Sequence, residues 1–300
     1  MDAVCLHEDQ ASRTICLPEP ASRFVACIVV PGLEPGDVWS EALAKAGADA
    51  SLSIAFPEQG DILSGDGVVV VSQPNAAFPF NPADWALLPP DVDRVLVDQG
   101  TVALSRILAL AYDGIPTGAT LVQREYLKSV AQFTLFGRLD VDVPDPLRKS
   151  GASVAGQEFL VTYAGGPPAL AVRTTMPLEM FTLDDRHDRS AYELGDLDLT
   201  GRARYLLHGS YHWLPRGLWR VTVTLAVDAD GGAHTYRVEW GGLSSFSQHA
   251  IRPNRPGRYC LTIDHRFEAA SPSELRIVLA QGSLGGNLVI ENVSLERVSD

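Results

Sequence analysis

From Trp219 to Val227 apolar and polar side chains alternate position by position, and the same period of two returns at Tyr236–Trp240 and Tyr259–Phe267. Strict alternation predicts strands with one buried and one wet face. Between these runs Gly, Pro, Asn and Asp cluster at 228–232, 241–242, 252–257 and 282–286. Such turn signals, at this spacing, predict an antiparallel β-sandwich. Gly286–Val298 then supplies a closing strand. The buried faces are expected to carry Trp219, Val221, Val223, Tyr259, Leu261, Ile263 and Leu295. The opposite faces place Arg220, Thr222 and Thr224 against Thr262, Asp264 and Arg266. With Arg237 and Glu239 on a strand between them, one sheet face would be dense in charge.

The first half has a different texture. Phe24–Val30 is a continuous apolar run, the mark of a strand covered on both faces. Asp37 can cap a helix carrying Trp39, Leu43 and Ala46, stopped by Gly47. Ser51–Phe56 and Gly67–Val71 predict two strands. A proline-rich loop from Ser72 to Pro90 holds Phe78, Phe80 and Trp85, and Arg94–Val97 reads as a fourth strand. Thr101 caps a helix with Leu104, Ile107, Leu108 and Ala111 at helical spacing, ended by Gly114. A second helix is expected from Thr120 to Ala131, followed by strands at Phe133–Phe136, Glu158–Tyr163 and Ala169–Arg173. The most polar stretch, Thr182–Ser190, reads as the domain boundary, with Asp184–Ser190 an exposed connector. The fold class that results is mostly β: an α+β or small α/β N-terminal domain over 1–183, then an antiparallel sandwich over 190–300. Residues 132–182 belong to the first domain or form a β-unit of their own.

Composition narrows the partners. A formal charge of −13 and a pI near 4.9, with no Lys/Arg run, argue against nucleic acid and anionic membranes. No apolar run approaches the length of a membrane span, so no membrane insertion is expected. The acidic start, Met1–Gln10, lacks the basic and apolar regions of a secretory signal. Synthesis in the cytoplasm follows as an expectation, with the final location open. Cys5, Cys16, Cys27 and Cys260 form no C-x-x-C pair, which argues against a zinc or iron–sulfur site.

Tyr211–Leu225, which runs Tyr-His-Trp-Leu-Pro-Arg-Gly-Leu-Trp-Arg-Val-Thr-Val-Thr-Leu, resembles the opening of galactose-binding-like jelly rolls, a fold shared by many carbohydrate-binding modules. Leu288–Val298 is similar to their closing strand. The resemblance covers roughly residues 192–300 and implies a jelly-roll sandwich, a fold whose members bind glycans and also serve as structural and protein-contact modules.

Candidate chemistry comes from the residues themselves. Tyr211, Trp213 and Phe246 stand in or beside expected loops, where a ring can stack on a sugar. Arg237, Glu239, Asp264 and Arg266 can hydrogen-bond sugar hydroxyls from the wet sheet face, which otherwise reads as an ordinary solvated surface. Of the Asp-x-Asp pairs, Asp140/Asp142 has the context in which two carboxylates hold a divalent cation against a sugar nucleotide, although an acidic chain also produces such pairs by chance. His208 and His212 flank a Gly-Ser turn, and His265 falls on the apolar side of its strand. No nucleophile elbow, H-E-x-x-H, P-loop or G-x-G-x-x-G is present. The expectation is a non-catalytic protein that binds a glycan or surface polysaccharide and needs no cofactor. The alternatives are a metal-dependent sugar-transfer enzyme in residues 20–145 with an appended jelly roll, and a structural subunit that packs as a homo-oligomer or in a larger assembly.

Overall fold

The computed structural model describes residues 24–34, 36–61, 66–80, 82–90, 92–148, 168–184 and 195–300. The expected strand at Glu158–Tyr163, the connector after Asp184, and Cys5 and Cys16 lie outside them.

Val25–Val29 (β1) is flanked by Gly67–Val71 (β3) and Asp84–Leu87 (β4), with Ser53–Ala55 (β2) and Thr120–Leu121 (β5) at the two edges. All of these pairings are parallel. The N-terminal sheet is therefore of the α/β kind, with both faces covered, as the unbroken apolar run of β1 requires. Val25, Cys27 and Val29 join one hydrophobic cluster, while Ala26, Ile28 and Val30 join the other. The helix Val38–Ala50 (α1) covers the second face through Trp39 and Leu43. Asp37 caps it, accepting from the Trp39 N–H at 2.9 Å, and it runs past Gly47 to a left-handed Ser51. A hairpin of Gln132–Leu135 (β6) and Leu139–Asp142 (β7) packs on α1, with Phe133 edge-on to Trp39. The helix Val92–Gly114 (α2) covers the first face with Leu104, Leu108 and Ala111.

Three expectations change here. Arg94–Val97 is helical, the early part of α2, and Thr101 follows a break at Gly100 (φ 80, ψ 175). Val92, Val95 and Leu96 also fit helical spacing, and a short apolar run cannot tell helix from strand by period. The fourth strand is Asp84–Leu87, inside the expected loop, and it buries Ala86 and Leu87 with Trp85 half-buried. The helix expected at Thr120–Ala131 starts later: Thr120 and Leu121 extend the parallel sheet, and Arg124–Ser129 (α3) is the helix. A short turn of helix, Asp145–Arg148 (α4), completes this half.

The sandwich has two antiparallel five-stranded sheets. One holds Arg173–Met176 (β8), Asp196–Asp198 (β10), Gly217–Val227 (β12), Gly257–Phe267 (β15) and Asn287–Ser299 (β17). The other runs Ser245–Ile251 (β14), Tyr236–Gly242 (β13), Ser271–Leu279 (β16), Arg204–Leu214 (β11) and Phe181–Leu183 (β9). The mostly-β class and the sandwich are as expected. Trp219, Val221, Val223, Ile263 and Leu295 are buried, Trp219 with its indole N–H donating to the Pro215 carbonyl at 2.9 Å. Tyr259 and Leu261 are half-buried, because β15 is an edge strand. β8 precedes the polar stretch, and β9 takes in its first two residues, Thr182 and the buried Leu183, so the boundary expected at Thr182 falls inside a strand. The two strands pair with β17 and β11, and the sheets draw on both sides of the stretch.

Candidate functional site

The expected single charged face does not exist, because β12 pairs directly with β15 while β13 belongs to the opposite sheet. Arg237 and Glu239 are thereby separated from Asp264 and Arg266. Asp264 is held in a two-pronged pair with Arg220, at 2.7 and 2.9 Å, which keeps its carboxyl below the usual carboxylate range. Arg266 donates to the Asp300 carbonyl at 3.1 Å.

On the other sheet, register builds a different constellation. Gln248, Glu239, Arg276, His208 and Thr182 are successive cross-strand partners on β14, β13, β16, β11 and β9. Two positions along, Arg237, Val278 and Tyr205 form a parallel row, and Glu274 pairs with Ser210 on the far side. Period two puts these rows on the face away from Val238, Ile277 and Leu207, which lie in the core.

The side chains form one connected network. Glu274 accepts the Tyr211 hydroxyl at 3.1 Å and Arg276 Nη2 at 2.6 Å. Arg276 also reaches Glu239 at 3.4 Å, and Glu239 pairs with Arg237 at 2.6 Å. The Arg276 guanidinium lies 4.1 Å over the Phe246 ring. His208 Nδ1 is 3.1 Å from the Tyr211 hydroxyl, with the Tyr205 ring at its other side. Glu239 and Glu274 are buried, yet each is neutralised by arginine, the condition under which a buried carboxylate is tolerable. Burial, reinforced by Glu274, raises the Tyr211 phenol above its ordinary value.

Tyr205 and Tyr211 still present 47% and 38% of their surface to solvent. Beside them opens a cleft of about 290 Å³, whose lining includes Thr182, Arg202, Arg204, Tyr205 and His208. Its floor is an ion pair of Arg204 with Asp184, and Arg204 also donates to the backbone carbonyls of Asp198, Leu199 and Arg202.

Of the expected site residues, Tyr211, Phe246, Arg237 and Glu239 are thus brought together. None of the aromatics stands in a loop: Tyr211 and Trp213 are on β11 and Phe246 is on β14. Trp213 is half-buried against α2, its backbone N–H donating to Ser105 Oγ at 3.0 Å and its ring under Arg106. His208 and His212 lie within β11, the first on the network and the second buried. Tyr205, His208, Glu274 and Arg276 were not anticipated as site residues. Glu274 and Arg276 did carry a signal, since they alternate with Leu275, Ile277 and Leu279.

Asp140 and Asp142 project from the hairpin rather than from a strand of the parallel sheet. Thr134 donates to Asp140, and Lys45 holds Asp142 at 2.6 Å, which lowers its pKa. Among the described residues no group of three or more His, Cys, Asp or Glu is placed to hold a metal ion. No helix among them is long and apolar enough to cross a membrane.

No family model matches the chain, and no curated protein does. Solved structures similar to it include carbohydrate-binding modules. A xylan-binding module is 12% identical, with 43% of this chain and 98% of that one covered, at a TM-score of 0.29. A Family 16 carbohydrate-binding module is 12% identical over 35% and 78% of the two chains, at 0.27. The CBM36-1 domain of a multidomain xylanase from the hindgut metagenome of Trinervitermes trinervoides is 11% identical over 41% and 96%, at 0.28.

Proposed function

We propose that the chain is a non-catalytic carbohydrate-binding or attachment protein, and that it holds its glycan on the outer face of the sheet containing β11, β13 and β16. The observation that supports this reading is the pairing of two exposed tyrosines with a rigid lattice of arginine–carboxylate pairs beside an open cleft. Sugars offer an apolar C–H face and a rim of hydroxyls, and this surface offers rings next to fixed polar groups. Holding Tyr211 through Glu274 and His208 reduces the entropy lost when a ligand orders the ring. A partner glycan, rather than nucleic acid, also suits the chain's acidic charge.

The test is a glycan array with the full chain, followed by titration calorimetry on the best ligand. Tyr205→Ala and Tyr211→Ala should each weaken binding by at least about tenfold, as loss of an aromatic anchor does. Trp213→Ala should matter less, because its ring is covered by Arg106. Binding that survives both tyrosine substitutions unchanged would place the glycan elsewhere.

A further inference from the structure

The network that defines the face has a chemical bias, and it rests on the carbohydrate reading above. Both oxygens of Glu274 are engaged, by Tyr211 and by Arg276. Both oxygens of Glu239 are engaged as well, by Arg237 and Arg276. Asp184 is taken up by Arg204. The carboxylates of the face are therefore occupied by internal donors.

Donors, by contrast, are left over. Arg202 lines the cleft beside Tyr205 and His208, is exposed, and makes no ion pair among the described residues. Arg237 meets Glu239 through Nε while its side chain remains 46% exposed. Among the described residues of the face and cleft, four arginines (202, 204, 237 and 276) stand against three carboxylates (184, 239 and 274), one net positive charge on a chain of formal charge −13. A neutral sugar presents donors and acceptors in similar number. A surface with spare donors and occupied acceptors favours an acceptor-rich, negatively charged ligand.

We propose that the glycan bound here is acidic, a polysaccharide carrying carboxylate groups of the uronate type. Its carboxylate meets the planar Arg202 guanidinium, which offers two parallel N–H donors, while the sugar ring rests against Tyr205. The chain's overall negative charge does not forbid this. Repulsion between exposed charges is screened over about 8 Å at physiological ionic strength, whereas a contact pair persists.

The experiment uses the full chain in affinity electrophoresis or calorimetry. The ligands are pectate, alginate and glucuronoxylan, each paired with its own carboxyl-reduced polymer, and dextran sulfate is added as a non-carboxylate polyanion. Carboxyl reduction should weaken binding by on the order of tenfold, the equivalent of one charge-assisted contact. Arg202→Gln should bring the acidic-to-reduced affinity ratio close to one. Arg202 is exposed, so this substitution leaves the fold intact, and far-ultraviolet circular dichroism checks it. Equal affinity for acidic and reduced polymers would overturn the acidic assignment while sparing the carbohydrate reading. Dextran sulfate bound as tightly as the uronates would overturn the assignment to carboxylates. Binding to no polysaccharide at all would sink the carbohydrate reading itself.

Discussion

His212 shows how much a single position depends on its neighbours. It alternates with Tyr211 and Trp213 on β11, but its ring is buried, with Nδ1 3.1 Å from the Ser210 carbonyl. Burial disfavours the imidazolium and lowers the pKa to about 4 from 6.5. Between those values the unfolded chain binds a proton that the folded chain does not. The stability this residue contributes is complete above pH 6.5 and is lost progressively as pH falls towards 4. The slope is at most about 1.4 kcal/mol per pH unit. Urea unfolding at pH 7, 5.5 and 4.5 should show a steeper loss for the native chain than for His212→Gln. Equal slopes would mean that His212 charges without penalty in the fold. His265 shows a milder version: it is half-buried against Phe267 and Ser247 at the edge strand, and burial lowers its pKa too.

At the scale of elements, α2 is the piece that joins the two halves. One face of it packs on the parallel sheet, and it also lies against β11. Polar contacts fix the join. Ser105 accepts the Trp213 N–H, and Asp113, near the C-terminal end of the helix, accepts from the backbone N–H groups of Arg216 and Ala270. A carboxylate that serves two backbone donors from different turns, one between β11 and β12 and one between β15 and β16, is a specific latch. Asp113→Ala should cost about 1–3 kcal/mol, the range for leaving such donors unsatisfied. Amide exchange at Arg216 and Ala270 should accelerate in the variant. Unchanged exchange at both would show that packing alone holds the junction.

For the whole molecule, the decisive fact is a hydrophobic cluster that does not respect the two halves. It runs from Val25 and Cys27 of the parallel sheet through Leu104 and Leu108 of α2 to Leu207 and Leu275 of the sandwich. Elements that share a core lose it together. Differential scanning calorimetry of the full chain should therefore show a single endotherm, with calorimetric and van't Hoff enthalpies in agreement. Two resolved transitions would mean that the sandwich and the parallel sheet fold independently. The junction also bears on the candidate site, because β11 carries Tyr205, His208 and Tyr211 on one face while Trp213 and Leu214 lie towards α2 and the core.

The sandwich was legible in the chain because period two is a local property: Trp219, Val221 and Val223 declare a buried face without reference to any other strand. The doubly covered β1 was legible for the same reason, since Val25–Val30 offers no polar position to a wet face. β11 was obscured because its pairing is irregular between Tyr205 and Leu207 and again between Ser210 and Trp213, and Tyr211 takes a left-handed φ of 62°. Such irregularities put Leu206 and Leu207 both out of solvent and break the alternation that marks a strand. Asp84–Leu87 was obscured because four residues beside prolines carry too short a pattern. Which strands neighbour one another is a different kind of information. Arg237 and Asp264 look alike along the chain, and only long-range pairing sends them to different sheets. The network of Tyr211, Glu274, Arg276 and Glu239 joins residues up to 63 positions apart, so tertiary register alone assembles it.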